Sequence, residues 1–302
     1  DWSDLLGDPW RPLVNRATQG TYPAGSVFKV VTMATGMEAG GLTGDSSFTC
    51  EGTWTGLGPE LPKRCWLRSG HGPIPLSWAL TVSCDITFYQ LGVLLNDLSH
   101  EVLPEYARRF GLGAGTGIQV EEEAGLVPDP SWKLRTKGEG WATGDAVNLS
   151  IGQSELLVTP LQMASMLAAV GNGGTLFRPS VVEMIASDPT SPDWRFEPTA
   201  LAKLPVSPEN LSVIQDSLHK VTSDPYGTAY QVFADFDLPV AGKTGTAESG
   251  SGEPHAWFVG YAPASDPEIA IAVVVEHAGL GADHAGPLFR QVVEAYLRSS
   301  GR

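Results

Sequence analysis

A serine and a lysine three residues apart stand in the stretch Tyr22-Pro-Ala-Gly-Ser-Val-Phe-Lys29. A hydroxyl beside an amine is a nucleophile beside a base, provided the amine can shed its proton. Burial or a neighbouring cation favours that. The spacing of Ser26 and Lys29 sets both on one face of a helical first turn. A serine at a helix start has its own N–H among the unpaired donors there, where negative charge is favoured. One turn thus offers a nucleophile, a base and half an oxyanion hole. The spacing alone decides little. Ser217-Leu-His-Lys220 repeats it late in a helical pattern, with no glycine turn before it, and reads as an accident.

The surroundings of Ser26 strengthen the reading. Pro23 fixes one backbone angle and Gly25 permits a conformation other residues resist. Val27, Phe28, Val30, Val31, Ala34 and Met37 then predict a largely apolar helix from Ser26 to about Ala39, stopping at Gly40-Gly41. Two further constellations are Ser83-Cys84-Asp85, at a junction between helical patterns, and Lys243-Thr-Gly-Thr246, on a strand pattern. Taken singly, each has an ordinary reading. Ser26 and Ser83 could be helix caps, Lys29 a solvated lysine, and the Lys243 run a bulged edge strand.

The rest of the chain must bring these three together. Residues 1–25 read as an irregular lead-in, 41–75 as loop, and 111–158 as mostly loop. Helices are predicted at Leu76–Val82, Asp85–Asn96 and Glu101–Phe110. Thr159-Pro-Leu-Gln162 is a capping box with proline first, opening a helix to about Val170. Val181–Ile185 favours a strand. Ser207-Pro starts a capped helix to about Thr222. Three runs, Leu238–Ala247, His255–Ala262 and Glu268–Glu276, suit antiparallel hairpins, and Pro287–Leu297 a closing amphipathic helix. The expected fold is α/β (α+β): an antiparallel sheet flanked by helices, plus a helical lobe. The α/β lobe spans about 1–45 and 176–302, the helical lobe about 46–175, with a cleft between them.

Composition narrows the function. With 302 residues, 42% of them hydrophobic, the chain can bury a large core. A net charge of −15 argues against a nucleic-acid partner. No stretch is apolar and long enough to span a bilayer, and no signal peptide opens the chain, which reads as a piece with its upstream part removed. Cys50 and Cys65 flank a loop and could form a disulfide worth about 3 kcal/mol; three free thiols are the other reading. No metal site is expected, because no cluster of ligands stands close together in sequence. His71, between glycines, reads as a turn residue rather than a base. Glu121-Glu-Glu123 reads as a solvated face.

The three constellations resemble the three motifs of the serine penicillin-recognising enzymes. Further runs resemble a monofunctional, class B-like penicillin-binding protein transpeptidase domain, in the same order along nearly the whole chain. They are Asn15-Arg16-Ala17, Phe110-Gly-Leu-Gly, Thr116-Gly-Ile, Glu123-Ala-Gly125, Val147-Asn-Leu-Ser-Ile-Gly-Gln153, Val158-Thr-Pro-Leu-Gln-Met-Ala164, Asn172-Gly-Gly174 and Pro179. The resemblance implies a peptidoglycan D,D-transpeptidase that needs no cofactor and is inhibited covalently by β-lactams. Ser26 attacks the penultimate D-Ala carbonyl of a stem peptide, and a neighbouring stem's amine takes the acyl group. Lys29 is the base, Ser83 relays a proton to the leaving amine, and Lys243 lends positive charge. Thr244 and Thr246 hold the terminal carboxylate. Gly245 lets a substrate strand lie close, and the N–H groups of Ser26 and Thr246 form the oxyanion hole. The resemblance also implies an upstream membrane anchor and pedestal, an extracytoplasmic location and a membrane glycan-polymerising partner. The family's second motif usually ends in Asn, whereas here it is Asp85. Ionised, Asp85 offers acceptors only and favours Lys29 as a cation. On sequence grounds Asp85→Asn is expected to keep or raise the acylation rate. Three other functions stay open: a β-lactamase or D,D-carboxypeptidase, a penicillin-sensing receptor domain, and a pseudo-enzyme.

Overall fold

The computed structural model describes residues 2–188, 191, 193–250 and 252–299. Two short helices, α1 (Trp2–Gly7) and α2 (Arg16–Gln19), stand where an irregular lead-in was expected. Asn15 caps α2 by accepting the Ala17 N–H, so local capping replaces apolar periodicity as the cause. A 3₁₀ turn, Gly25–Phe28, leads into α3 (Lys29–Glu38). The helix expected from Ser26 is therefore tighter in its first turn. Every residue from Lys29 to Met37 is buried, which explains why α3 is apolar nearly all round.

Residues 41–75 are not all loop. β1 (Ser47–Cys50) pairs antiparallel with β4 (Gly72–Pro75), and between them β2 (Thr53–Trp54) pairs with β3 (Lys63–Arg64). Each strand is too short to carry a period-2 pattern. α4 (Leu76–Thr81), α5 (Asp85–Leu98) and α6 (Val102–Arg109) fall where predicted. Residues 111–158, expected to be mostly loop, contain α7 (Pro130–Lys137) and α8 (Thr143–Leu149). α7 buries no residue, so it shows no apolar stripe. Its ends were nonetheless legible: Asp129 accepts the Trp132 N–H, Pro130 is first, and Gly138 stops it in the left-handed region. α9 (Pro160–Gly171) opens with the predicted reciprocal Thr159–Gln162 bonds.

β5 (Thr175–Phe177) pairs with β8 (Ala200–Lys203), and β6 (Met184–Ile185) with β7 (Trp194–Arg195). The strand expected over 181–185 thus shrinks to two exposed residues. α10 (Pro208–Ser223) is capped by Ser207, and α11 (Tyr230–Phe233) follows. β9 (Ala241–Ala247), β10 (His255–Ala262) and β11 (Ile269–Val275) form the predicted antiparallel sheet in the order β11-β10-β9. α12 (Gly281–Ser299) begins before Pro287, which lies inside it rather than at its start. The helix starts at Gly281 because its backbone is docked against the sheet: a Cβ there would meet the Trp257 carbonyl at 2.2 Å.

β10 is buried along its whole length, between α12 on one side and α9 with the 3₁₀ turn on the other. Its alternate residues serve two cores. Trp257, Val259 and Tyr261 join the main core with α3, α4, α5 and α9. Ala256, Phe258 and Ala262 join a second with Phe233 and Phe289. The central strand is thereby clamped from both faces, and β9, which carries Lys243 to Thr246, is fixed along its edge. Among the described residues no helix is long and apolar enough to cross a membrane.

Candidate active site

Ser26 lies at the centre of the 3₁₀ turn, and the turn is held from two directions. The Gly25 N–H donates to the Gly152 carbonyl at 2.8 Å. Gly25 itself has φ +54°, and a Cβ on it would meet the Thr246 carbonyl oxygen at 2.8 Å. Only glycine fits that backbone and that gap. The close approach sets Ser26 beside β9. Ser26, Ser83, Asp85, Thr244, Gly245 and Thr246 all line one cleft. Lys29 and Lys243 stand directly behind it, each wholly buried. All eight residues singled out from the sequence are therefore gathered at one place.

Lys29 spends all three of its donors on the second motif. Nζ donates to the Ser83 carbonyl at 2.9 Å, to Ser83 Oγ at 3.3 Å and to Asp85 Oδ1 at 2.7 Å. It also lies 5.3 Å from the centre of the Phe88 ring. Ser83 holds a left-handed backbone, φ +54°, uncommon for a residue with a Cβ, and the two bonds from Lys29 fasten it there. Asp85 opens α5, where the helix dipole favours its charge. Its other oxygen accepts the Trp66 N–H at 3.0 Å. The carboxylate therefore has two tasks, of which the sequence showed one. Among the described residues Ser26 Oγ forms no hydrogen bond in this resting state.

Lys243 Nζ donates to the Thr244 carbonyl at 3.1 Å. Burial pushes its amine well below the ordinary lysine range, the charge of Lys29 pushes the same way, and Asp85 opposes both. Thr244 Oγ1 lies 2.7 Å from Thr228 Oγ1, a partner with no sequence signature. Gly245 is glycine for a different reason from the one expected: a Cβ would meet Trp257 Cβ and Val27 Cγ2, each at 2.9 Å. The close packing lies beneath the strand. Gln153 Nε2 donates to the Thr246 carbonyl at 3.3 Å, tying the Ile151-Gly-Gln153 turn to β9.

The opposite wall is the 50–71 strap. Trp66 and Arg64 lie on it, and both line the cleft, as do Tyr89 and Glu248; sequence reasoning picked out none of these. The acidic run 121–123 does not reach the cleft. Glu122 instead accepts from the Thr116 N–H and hydroxyl and the Gly117 N–H, which fastens a turn. Ser217 and Lys220 are likewise remote: Ser217 Oγ donates to the Val213 carbonyl and Lys220 pairs with Asp216 inside α10.

Behind the strap, two cysteine and histidine readings are corrected. Cys50, Cys65 and Cys84 are all free and buried, so no Cys50–Cys65 disulfide forms. Cys50, Cys65, His71 and Cys84 instead bring one ligand atom each within 4.8 Å of one another. Both the Cys50 and Cys65 sulfurs lie 3.6 Å from His71 Nδ1. Three thiols and an imidazole are a donor set that suits tetrahedral zinc. The expectation that no ligand cluster exists failed because the four lie on four separate segments. The neighbouring Cys84 thiol is the main cause holding Cys65 well below the ordinary thiol range, and the same neighbour, with burial, raises Cys84. His71 is thus part of this cluster rather than a simple turn residue.

A serine on a tight turn, two buried lysines behind it and a hydroxyl-rich strand edge beside it bring together the three motifs that the sequence shares with the serine penicillin-recognising enzymes. The chain belongs to the family described as the penicillin binding protein transpeptidase domain, whose model matches residues 3–294. It is 31% identical over 310 residues to peptidoglycan D,D-transpeptidase MrdA of Escherichia coli strain K12, covering 97% of this chain and 48% of that protein. It is 33% identical to peptidoglycan D,D-transpeptidase PbpA of Mycobacterium tuberculosis strain CDC 1551, covering 98% and 59%. Its fold is similar to that of Pseudomonas aeruginosa PBP2 in complex with WCK 5153, with TM-score 0.88 and 33% identity over 98% of this chain and 63% of that one. PBP2 of Helicobacter pylori, solved in complex with MreC, matches with TM-score 0.84 and 29% identity over 98% and 53%. The chain spans about half the length of the curated MrdA relatives it matches.

Proposed function

We propose that this domain is a peptidoglycan D,D-transpeptidase working through an acyl-enzyme on Ser26, and that β-lactams acylate the same hydroxyl. The observation that carries the reading is the meeting of Ser26, Ser83–Asp85 and Thr244–Thr246 on one cleft, backed by two buried lysines. Relatives named peptidoglycan D,D-transpeptidases, and a ceftriaxone acyl-enzyme of M. tuberculosis penicillin-binding protein A at TM-score 0.84, support it.

The contacts of Lys29 with Ser83 and Asp85 support a path for the proton. Lys29 becomes neutral by passing a proton to Asp85 Oδ1, its neighbour at 2.7 Å. It then takes the Ser26 proton as Oγ bonds to the penultimate D-Ala carbonyl carbon. The oxyanion is met by the N–H groups of Ser26 and Thr246. The carbon–nitrogen bond breaks, and the proton reaches the leaving D-Ala amine by way of Ser83 Oγ, 3.3 Å from Lys29. The amine of a second stem reverses the sequence and forms the cross-link. Thr244 and Thr246 hydroxyls hold the terminal carboxylate, with Lys243 behind them. The α/β lobe (1–45 and 176–302) and the helical lobe (46–175) close on the two stems. In the whole protein we place the domain on the outer face of the cell membrane, held there by an upstream anchor and beside a glycan-polymerising partner.

The test is intact mass over time after benzylpenicillin. A stable adduct of one penicillin is expected, absent from Ser26→Ala. No adduct would end the reading. Rapid repeated turnover of a chromogenic cephalosporin would move it to a β-lactamase.

A further inference from the structure

The strap wall carries a charge pattern that the acyl-transfer machinery does not use. From residue 64 to 68 the chain alternates: Arg64, Trp66 and Arg68 are exposed, Cys65 is buried and Leu67 half-buried. Arg64 ends β3, while Trp66 and Arg68 follow in a bend and a turn, and all three exposed side chains line the cleft. The residue between the first two is pinned. The Cys65 N–H donates to the Gly52 carbonyl at 3.0 Å, and its sulfur sits in the thiol cluster. Trp66 is pinned as well, by its backbone N–H on Asp85 at 3.0 Å and its indole N–H on the Val82 carbonyl at 3.0 Å. The stripe therefore has a fixed backbone and free ends.

Among the described residues neither arginine forms an ion pair. That is notable in a chain with 34 acidic residues against 19 basic ones. Of the two carboxylates lining the cleft, Asp85 is committed to Lys29 and the Trp66 N–H, which leaves Glu248. The strap side of the cleft is a cationic patch on an acidic protein, a shape that draws anions inward. Guanidinium forks suit carboxylates, and an exposed indole between them suits the apolar stem of an acidic side chain.

We propose that Arg64 and Arg68 read free carboxylates on the stem peptide, upstream of its D-Ala-D-Ala end, and so select acidic stems over amidated ones. This rests on the transpeptidase reading above and names the substrate class of that site. Thr244, Thr246 and Lys243 serve the terminal carboxylate; the arginines act on a second anionic group. The carboxylate can belong to the acyl donor or to the acceptor.

Equilibrium binding to the Ser26→Ala protein tests this without requiring turnover. Synthetic stems with and without the terminal D-Ala represent donor and acceptor, each with its upstream carboxylates free or amidated. The free acid is expected to bind about tenfold more tightly in whichever version uses the stripe, less so in high salt. In Arg64→Gln/Arg68→Gln the ratio falls to near one, and Arg64→Lys/Arg68→Lys restores part of it. The version that shows the ratio identifies the stem. Equal binding of free and amidated peptides, or a preference untouched by the double substitution, would overturn the proposal. Failure of the transpeptidase reading shows separately, as absent penicillin acylation of Ser26.

Discussion

The two walls of the cleft are built in opposite ways. The wall carrying Ser26 and Lys243 is held by burial. α3 is buried from Lys29 to Met37, β10 at every position, and β9 pairs along the edge of β10 against α10 and the 3₁₀ turn. The strap wall is held at points: the Cys50, Cys65, His71 and Cys84 atoms, the Trp66–Asp85 bond, and Lys63 Nζ donating to Asn148 Oδ1 at 2.7 Å. A packed wall locates an atom through many weak contacts at once. A pinned wall locates a segment through a few strong ones and leaves its outer side chains free. The first arrangement suits reacting atoms, and the second suits a surface that meets varied peptides.

The comparison breaks most sharply on the packed side. Gly25→Ala adds a methyl against the Thr246 carbonyl and strains a left-handed backbone by about 1 kcal/mol. Because relief must separate Ser26 from Thr246, penicillin acylation is expected to fall roughly a hundredfold, the size of losing one oxyanion donor. Stopped-flow acylation rates measure it; a change under threefold would show that the gap is soft. Asp85→Asn is the next largest effect. Its two oxygens serve Lys29 and the Trp66 N–H, whereas an amide offers one acceptor and turns a donor toward the other partner. We expect acylation to drop about tenfold, against the sequence-based expectation of no loss. An unchanged or faster rate would mean the Trp66 link is dispensable. The smallest effect belongs to the thiol cluster. Zinc added to chelator-treated protein is expected to bind at about one per chain through thiolate. Its removal should loosen the strap, seen as faster proteolysis near residues 55–62, with acylation lowered only a few-fold. Identical cleavage with and without zinc would show that the pins do not need an ion.

What could be read from the sequence follows the same divide. On the packed side, local rules and the tertiary fold agree: the Thr159–Gln162 box, the Ser207 cap and the three late strands all stand where pattern and chemistry placed them. The eight candidate residues, which the structure gathers at one cleft, could be picked out because each of the three motifs is short and contiguous. On the strap the elements are two to four residues long, below the length at which periodicity exists. The cluster was missed because Cys50 and Cys84 are distant along the chain. Thr228 and Gln153 reach β9 by contacts that no spacing encodes. α7 is the exception that could have been found, from Asp129-Pro130 and Gly138 alone.

The tripeptide Ser83-Cys84-Asp85 faces two ways. Its outer residues look into the cleft, while Cys84 looks back into the thiol cluster. A displacement of Cys84 within the cluster would carry Ser83, held in a left-handed backbone, and Asp85 with it. The rear of the tripeptide is thus a handle on the geometry of its front.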